Sequence, residues 1–118
     1  MSAVTDLRAL LLADAAVAAL VGTRISADRI TQGAGRPFIV FARTDTKRDK
    51  TLDGSVVSVL VSFDVQCWAD TRLVADQVAD AVQAAIERAD QDISSRSSVY
   101  EDDLDFEGES LAVDWWDE

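Results

Sequence analysis

The side chains best suited to catalysis are scarce in this 118-residue sequence. It contains no histidine, the side chain that most often serves as a general base or a metal ligand. Its single cysteine, Cys67, therefore has no imidazole to activate it, and neither a Ser-His nor a Cys-His nucleophile can form. Cys67 alternates with Phe63 and Val65, which predicts a small core side chain. We expect neither an enzyme nor any catalytic residue.

Carboxylates are the plentiful reactive group, because 22 Asp and Glu stand against 11 Lys and Arg, for a net charge of −11. One stretch has the spacing of a calcium-binding loop: Asp103, Asp105, Glu107, Gly108 and Asp114. Glu at its third ligand position and Asp at its last depart from that pattern, and the segment alternates like a β-hairpin. No glycine-rich phosphate loop is present. We therefore expect no metal and no cofactor.

The acidic residues are concentrated at the C-terminal end, where nine of the last 18 residues are acidic and none is basic. Such a surface repels the DNA backbone. It is consistent either with a solvated face that keeps the protein soluble or with a specific role for the charge. No apolar run can span a bilayer, and Asp6 and Asp14 interrupt any signal-peptide core. These features predict a soluble cytosolic product without a membrane partner.

Two helical segments are predicted in the first 22 residues. Leu7, Leu10, Leu11, Ala18 and Val21 share one helical face, in the middle of which Asp14 would be buried. Because an unpaired buried carboxylate is costly, we expect a break there. Asp14 then caps a second short helix, Ala15–Val21, which Gly22 ends. A short extended piece is expected around Arg24–Ile30.

A long antiparallel hairpin is predicted next, with strands at Phe38–Thr46 and Val56–Trp68. A polar loop, Thr46–Ser55, joins them and contains the turn signal Asp53-Gly54. This loop holds the densest basic cluster of the acidic chain: Lys47, Arg48 and Lys50.

An amphipathic helix is predicted over Asp70–Ala89, capped by Asp70. Leu73 lies off its apolar stripe, either as a lone exposed leucine or as a subunit contact. A serine-rich link at residues 94–98 follows. It leads to strands at about Val99–Phe106 and Leu111–Trp116, with a turn at Glu107–Ser110.

Trp115 and Trp116 are adjacent in the last strand, so their side chains point to opposite faces. Either one joins the core and the other is exposed or lies in an interface, or both are packed between sheet and helix. The order of elements predicts one α+β domain over residues 1–118. We expect a mainly antiparallel sheet of about four strands, two main helices packed on it, and a short helical turn after the first helix.

These segments, in this order, resemble the phage tail-completion family, the tail terminators of siphophages, prophages and gene transfer agents. The resemblance covers nearly the whole chain and rests on order and length. Its pieces are Asp14–Gly22 followed by Arg24-Ile25, then Arg36–Phe41, Phe63–Ala69, the alanine-rich helix 70–89 and the closing hairpin.

The resemblance implies a structural virion protein at the tail–head junction, present in the host cytoplasm during assembly. Copies would form a hexameric ring that caps the completed tail tube and joins it to neck or head-completion proteins. DNA would pass through an acidic lumen without specific binding. The candidate interface residues are Lys47, Arg48, Lys50, Leu73, Trp115 and Trp116, and the alternative for the basic cluster is a mobile, solvated hairpin tip.

Two other functions compete with the terminator. One is a neck or head-completion adaptor of the same particle. The other is an acidic DNA mimic that inhibits a nucleic-acid-binding protein, which would need its acids spaced like phosphates on one surface. The acids here are interleaved with Leu104, Phe106, Leu111 and Trp115, a pattern more typical of amphipathic strands.

Overall fold

The computed structural model describes residues 3–27, 37–50, 56–101 and 106–117, and side chains over 3–27, 37–47, 59–100 and 107–116. This part forms three helices and one five-stranded sheet. The elements are α1 (Ala3–Ala13), α2 (Ala15–Val21), β1 (Ile25–Ala27), β2 (Phe38–Lys50), β3 (Val56–Ala69), α3 (Arg72–Arg88), β4 (Asp92–Glu101) and β5 (Phe106–Asp117). None of the described helices is long and apolar enough to cross a membrane.

The strand order is β1-β2-β3-β5-β4. Only β1 pairs in parallel, with Ile39–Phe41 of β2, and the other pairs are antiparallel. The predicted α+β class with a mainly antiparallel sheet is confirmed, and the short β1 brings the strands to five.

The break between α1 and α2 is confirmed. The Asp14 carboxylate accepts hydrogen bonds from the backbone amides of Ala16 and Val17, at 3.0 Å each. Its second oxygen is bound by Arg88 of α3. Gly22 follows α2 with a φ of 61°, a conformation that costs glycine nothing. Asp14 thus satisfies the amides of α2 and ties α2 to α3.

The main core lies between the three helices and one face of the sheet. Alternate residues of the central strands point into it, including Phe41, Phe63 and Leu111. The rings of Phe41 and Phe63 meet edge to face at 5.9 Å. Cys67 is fully buried there, as predicted. Burial raises the pKa of its thiol, which keeps it neutral.

Residues 46–50, the first half of the predicted loop Thr46–Ser55, are strand, and residues 51–55 lie outside the described residues. β2 continues to Lys50, and Lys47 pairs with Leu60 and Arg48 with Val59. Pairing with the β-branched strand β3 therefore overrides the low strand propensity of Lys, Arg and Asp. The predicted turn at Asp53-Gly54 lies outside the described residues. Helix α3 also starts later than predicted, because Thr71 rather than Asp70 accepts the hydrogen bond from the Val74 amide.

The last two strands are longer than predicted. The serine-rich residues 94–98 belong to β4 rather than to a link, and Glu107–Ser110 belong to β5 rather than to a turn. Gly108 lies opposite Trp68, and a Cβ at Gly108 would stand 2.7 Å from a ring carbon of Trp68. The glycine therefore serves close packing, not a turn. Residues 102–105, between the strands, lie outside the described part of the chain.

The face of the sheet opposite the helices, here called the open face, has a different character. Phe38, Val40 and Trp68 form a second buried cluster on it. Beside this cluster, Trp68 donates to Gln66, and Gln66 and Ser110 both donate to Asp64. By strand register, the open face also bears Asp45, Asp92 and Asp114. Among the bases whose side chains the structure describes, Lys47 is the one that the register places on this face.

Candidate assembly surfaces

The hairpin of β2 and β3 gives the protein a long axis of 52 Å. Pairing of β3 with β5 begins at Val59, opposite Asp117, so residues 56–58 extend past the described part of β5. We call residues 46–50 and 56–60 the arm. The end of the sheet that bears it is the arm end, where β4 also begins. The other end is the Arg72 end, where α3 begins.

The predicted basic cluster lies on the arm. Lys47 is exposed and points to the open face beside Leu60. Arg48 and Lys50 follow it in β2, and their side chains lie outside the described residues. Among the described strands, β1 covers only Ile39–Phe41 of the outer edge of β2. The arm therefore has an edge beside which no described strand lies.

Among the side chains that the structure describes, three large apolar ones are exposed, and they lie at both ends of the sheet. Leu73 is 68% exposed, Tyr100 51% and Trp116 39%. Leu73 and Tyr100 flank the Arg72 end, since Arg72 bonds the carbonyl of Val99. Trp116 lies at the arm end, opposite Leu60. Sequence reasoning had not identified Tyr100.

The two neighbouring tryptophans are divided between the two faces. Trp115 is buried at 7% exposure and pairs with Val61 in the main core, whereas Trp116 lies on the open face. The alternative in which both are buried is therefore wrong. The exposed side chain of Leu73 is compatible with both interpretations given above for it.

A groove of about 310 Å³ opens between α3 and the start of β4, at the arm end. Its lining residues are Gln83, Glu87, Gln91, Asp92, Ile93, Ser95 and Arg96. Gln91 closes one side, because its side-chain amide both donates to and accepts from the backbone of Trp116. Its lining residues lie within positions 83–96, but sequence reasoning did not find it, because a serine-rich link was predicted at residues 94–98 where the structure has β4.

Two arginines hold α3 to the last two strands through Glu109. Arg72 lies 3.1 Å from one carboxylate oxygen of Glu109, and Arg96 lies 2.9 Å from the other. Arg72 also bonds the carbonyl of Gly108 and the carboxylate of Glu107. Arg96 bonds Asp80 at 2.8 Å and Gln83 at 3.0 Å.

The charges of this cluster are matched to one another. Burial alone would raise the pKa of Glu109, but hydrogen bonds from Arg96 and Ser98 and the charges of both arginines hold that pKa below its ordinary value. Burial likewise opposes the charge of Arg96, and Asp80 and Glu109 outweigh it, so the pKa of Arg96 is raised. Sequence reasoning missed this cluster, because Glu109 was predicted to lie in a turn and only the strand register places it opposite Cys67.

The calcium-loop pattern of the sequence falls partly within the described part of the chain. No group of three or more His, Cys, Asp or Glu side chains there could hold a metal ion. Glu107, Gly108 and Asp114, three members of the calcium-loop pattern, lie in the continuous strand β5. Asp103 and Asp105 lie outside the described residues.

Known proteins share this arrangement of elements. Residues 5–116 match the family described as tail completion protein gp17. The chain belongs to this family. It is a structural protein of phage-type tails, as its resemblance to the tail-completion family implied.

A solved structure supports the fold of this tail-completion protein. A chain in the virion of a native gene transfer agent particle has the same fold, with a TM-score of 0.77 and 20% sequence identity. The match covers 97% of this chain and 96% of that one. The comparison with curated proteins gave no match.

The candidate interface residues of the tail-completion protein do not form one site. The basic cluster and Trp116 share the arm end, Leu73 lies at the Arg72 end, and Trp115 belongs to the core. The structure thus separates them into surfaces at two ends of one sheet.

Proposed function

We propose that this chain is a ring-forming tail terminator, which caps the completed tail tube and joins it to the neck or head-completion proteins. Such a subunit needs contact surfaces at two opposite ends, one for each neighbour along the tail. The observation that supports this most directly is the placement of exposed apolar side chains at both ends of the sheet. Leu73 and Tyr100 lie at one end and Trp116 at the other.

The open face would line the lumen of the ring. Strand register places Asp45, Asp64 and Asp114 on this face, and Asp92 stands directly opposite Asp114 at its outer edge, in the edge strand β4. Like charges directly opposite each other lower the stability of the sheet, so we infer that these two aspartates serve a function other than folding. A negative wall repels the DNA backbone and would let DNA pass without adhering.

The charge pattern favours the terminator over the DNA mimic. In β5, Glu109 is buried beneath two arginines, and Asp114 points to the opposite face of the sheet. These carboxylates are therefore not displayed along one surface, as phosphate mimicry requires.

Mass in solution tests the proposal. The chain is measured by light scattering alone and with its cognate tail-tube protein. We expect a discrete ring, formed either by the chain itself or only on the tube end. A chain that stays monomeric in both cases would overturn the ring. Binding of a monomer to neck proteins alone would then assign it to the adaptor class.

A further inference from the structure

The groove between α3 and β4 has unbalanced negative charge. Glu87, Asp90 and Asp92 lie in or beside it, and no described Lys or Arg forms an ion pair with any of them. The groove's own cation, Arg96, is already bound by Asp80 and Glu109. A cationic partner could therefore enter without displacing an existing ion pair.

The arm has the complementary charge. Residues 46–50 contain three bases and one acid, within a chain of net charge −11. Lys47 is exposed and forms no ion pair with any described residue. The same chain thus presents a basic segment, in which Lys47 has no ion-pair partner among the described residues, and a groove in which Glu87 and Asp92 have none.

The arm cannot reach the groove of its own chain. β2 and β4 lie on opposite sides of the pair β3 and β5, three strand spacings apart, or about 14 Å. Both are held in place by backbone pairing with those strands. The matching partner must therefore be another molecule.

We propose that the arm of one copy docks in the α3–β4 groove of the next copy and that this contact links the ring. The proposal rests on the terminator function and adds the residues that join neighbours. Lys47 pairs with Leu60 of β3. Asp92 pairs with Asp114 of β5, which pairs with Ser62, two residues along β3 from Leu60. The two charges therefore differ by about 7 Å along the strands.

A closed ring requires that the two contact surfaces lie at nearly the same height along the strands. The arm and the groove are different surfaces, so the contact between copies is head-to-tail. A head-to-tail contact closes into a ring only when successive copies rotate about the axis without rising along it. Two complementary surfaces at nearly the same height on opposite edges of one sheet satisfy that condition.

Charge exchange tests the docking. One variant reverses the arm, Lys47→Glu with Arg48→Glu and Lys50→Glu, and a second reverses the groove, Glu87→Lys with Asp92→Lys. We expect each to weaken self-association in sedimentation velocity by about tenfold or more, and a one-to-one mixture or the combined variant to recover it. Asp6→Lys, on α1 and away from the groove, is the control and should assemble like the unchanged chain.

A cross-link gives a second readout that does not depend on affinity. Lys47→Cys and Asp92→Cys, combined in one chain, should give a ladder of linked copies with a short bis-maleimide, because Cys67 is buried and unreactive. Each single variant should give no ladder.

The possible results separate the two proposals. Rings that tolerate both charge reversals and give no ladder would overturn the docking and leave the terminator function standing. A chain that never self-associates, with or without tube protein, would overturn the ring and the docking with it.

Discussion

Gly108 shows how one residue can support two opposite interpretations. In sequence it stands between two glutamates and predicts a turn. In the structure it lies within β5, where a Cβ would stand 2.7 Å from Trp68 and 2.9 Å from Val99. The residue that Gly108 contacts across the sheet, Trp68, is forty positions away in sequence. Local sequence therefore could not reveal that the glycine is needed for close packing.

We expect Gly108→Ala to destabilise the fold by about 1–3 kcal/mol, because the added methyl overpacks against Trp68. The lowered midpoint of chemical unfolding would show it. Gly22→Ala is the matched control, since its Cβ would meet nothing closer than 3.9 Å and only its positive φ is unfavourable. It should cost about 1 kcal/mol. Equal stability of Gly108→Ala and the unchanged chain would contradict the packing role.

The carboxylate of Glu109 makes the free energy of unfolding depend on pH. Its pKa is lowered in the folded state, so its contribution is present above the pKa of the unfolded chain and is lost as pH falls through the folded pKa. We expect Glu109→Gln to lower stability at neutral pH by about 1–3 kcal/mol.

The same substitution should flatten the pH dependence of unfolding below the ordinary glutamate pKa of 4.5. Chemical unfolding followed at several pH values measures both effects. Glu107→Gln, which removes a carboxylate that is 33% exposed, should change both less. An unchanged pH profile in Glu109→Gln would show that the arginines do not depend on its charge.

At the scale of elements, helix ends were more predictable than strand ends. Asp14 and Gly22 act on their own neighbours, so local sequence suffices to identify them. The ends of β2 and β4 depend on partners elsewhere. Lys47 pairs with Leu60, and Ser97 pairs with Ser110, so residues of low strand propensity become strand.

Asp14 gives a prediction for α2 as a whole. We expect Asp14→Ala to destabilise the fold by about 1–2 kcal/mol, because two amides lose their acceptor and Arg88 loses its partner. Asp14→Asn keeps a capping oxygen and removes the charge, so it should recover most of the loss. Thermal unfolding separates the two contributions. If Asn and Ala were equally destabilising, the ion pair rather than the cap would hold α2.

At the scale of the whole molecule, the sequence predicted the fold class and the family but not the surfaces. The arginine cluster depends on how distant segments meet, and the groove depends on where β4 begins beside α3. Arg72 alone contacts residues 27 and 37 positions away. Such sites follow from the sheet order, which composition and periodicity do not determine.

Substitutions at the two ends of the sheet should impair binding to two different partners. We expect Leu73→Ser and Trp116→Ser each to abolish binding to a different neighbour, one to the tail tube and the other to the neck protein. Both should fold normally, because these side chains are exposed and the bonds of Gln91 to Trp116 use only its backbone. Pull-down with each purified partner measures the effect.

The control for these variants is Gln77→Ser, on an exposed position of the same helix as Leu73. It should bind both partners normally. Normal binding of both partners by both Leu73→Ser and Trp116→Ser would contradict the assignment of the two ends.

The buried position of Cys67 has a consequence beyond packing. In oxidising surroundings, exposed thiols form disulfides or sulfenic acids. Here the only thiol of the chain is shielded from solvent and kept protonated. A change of redox environment should therefore leave this thiol unmodified.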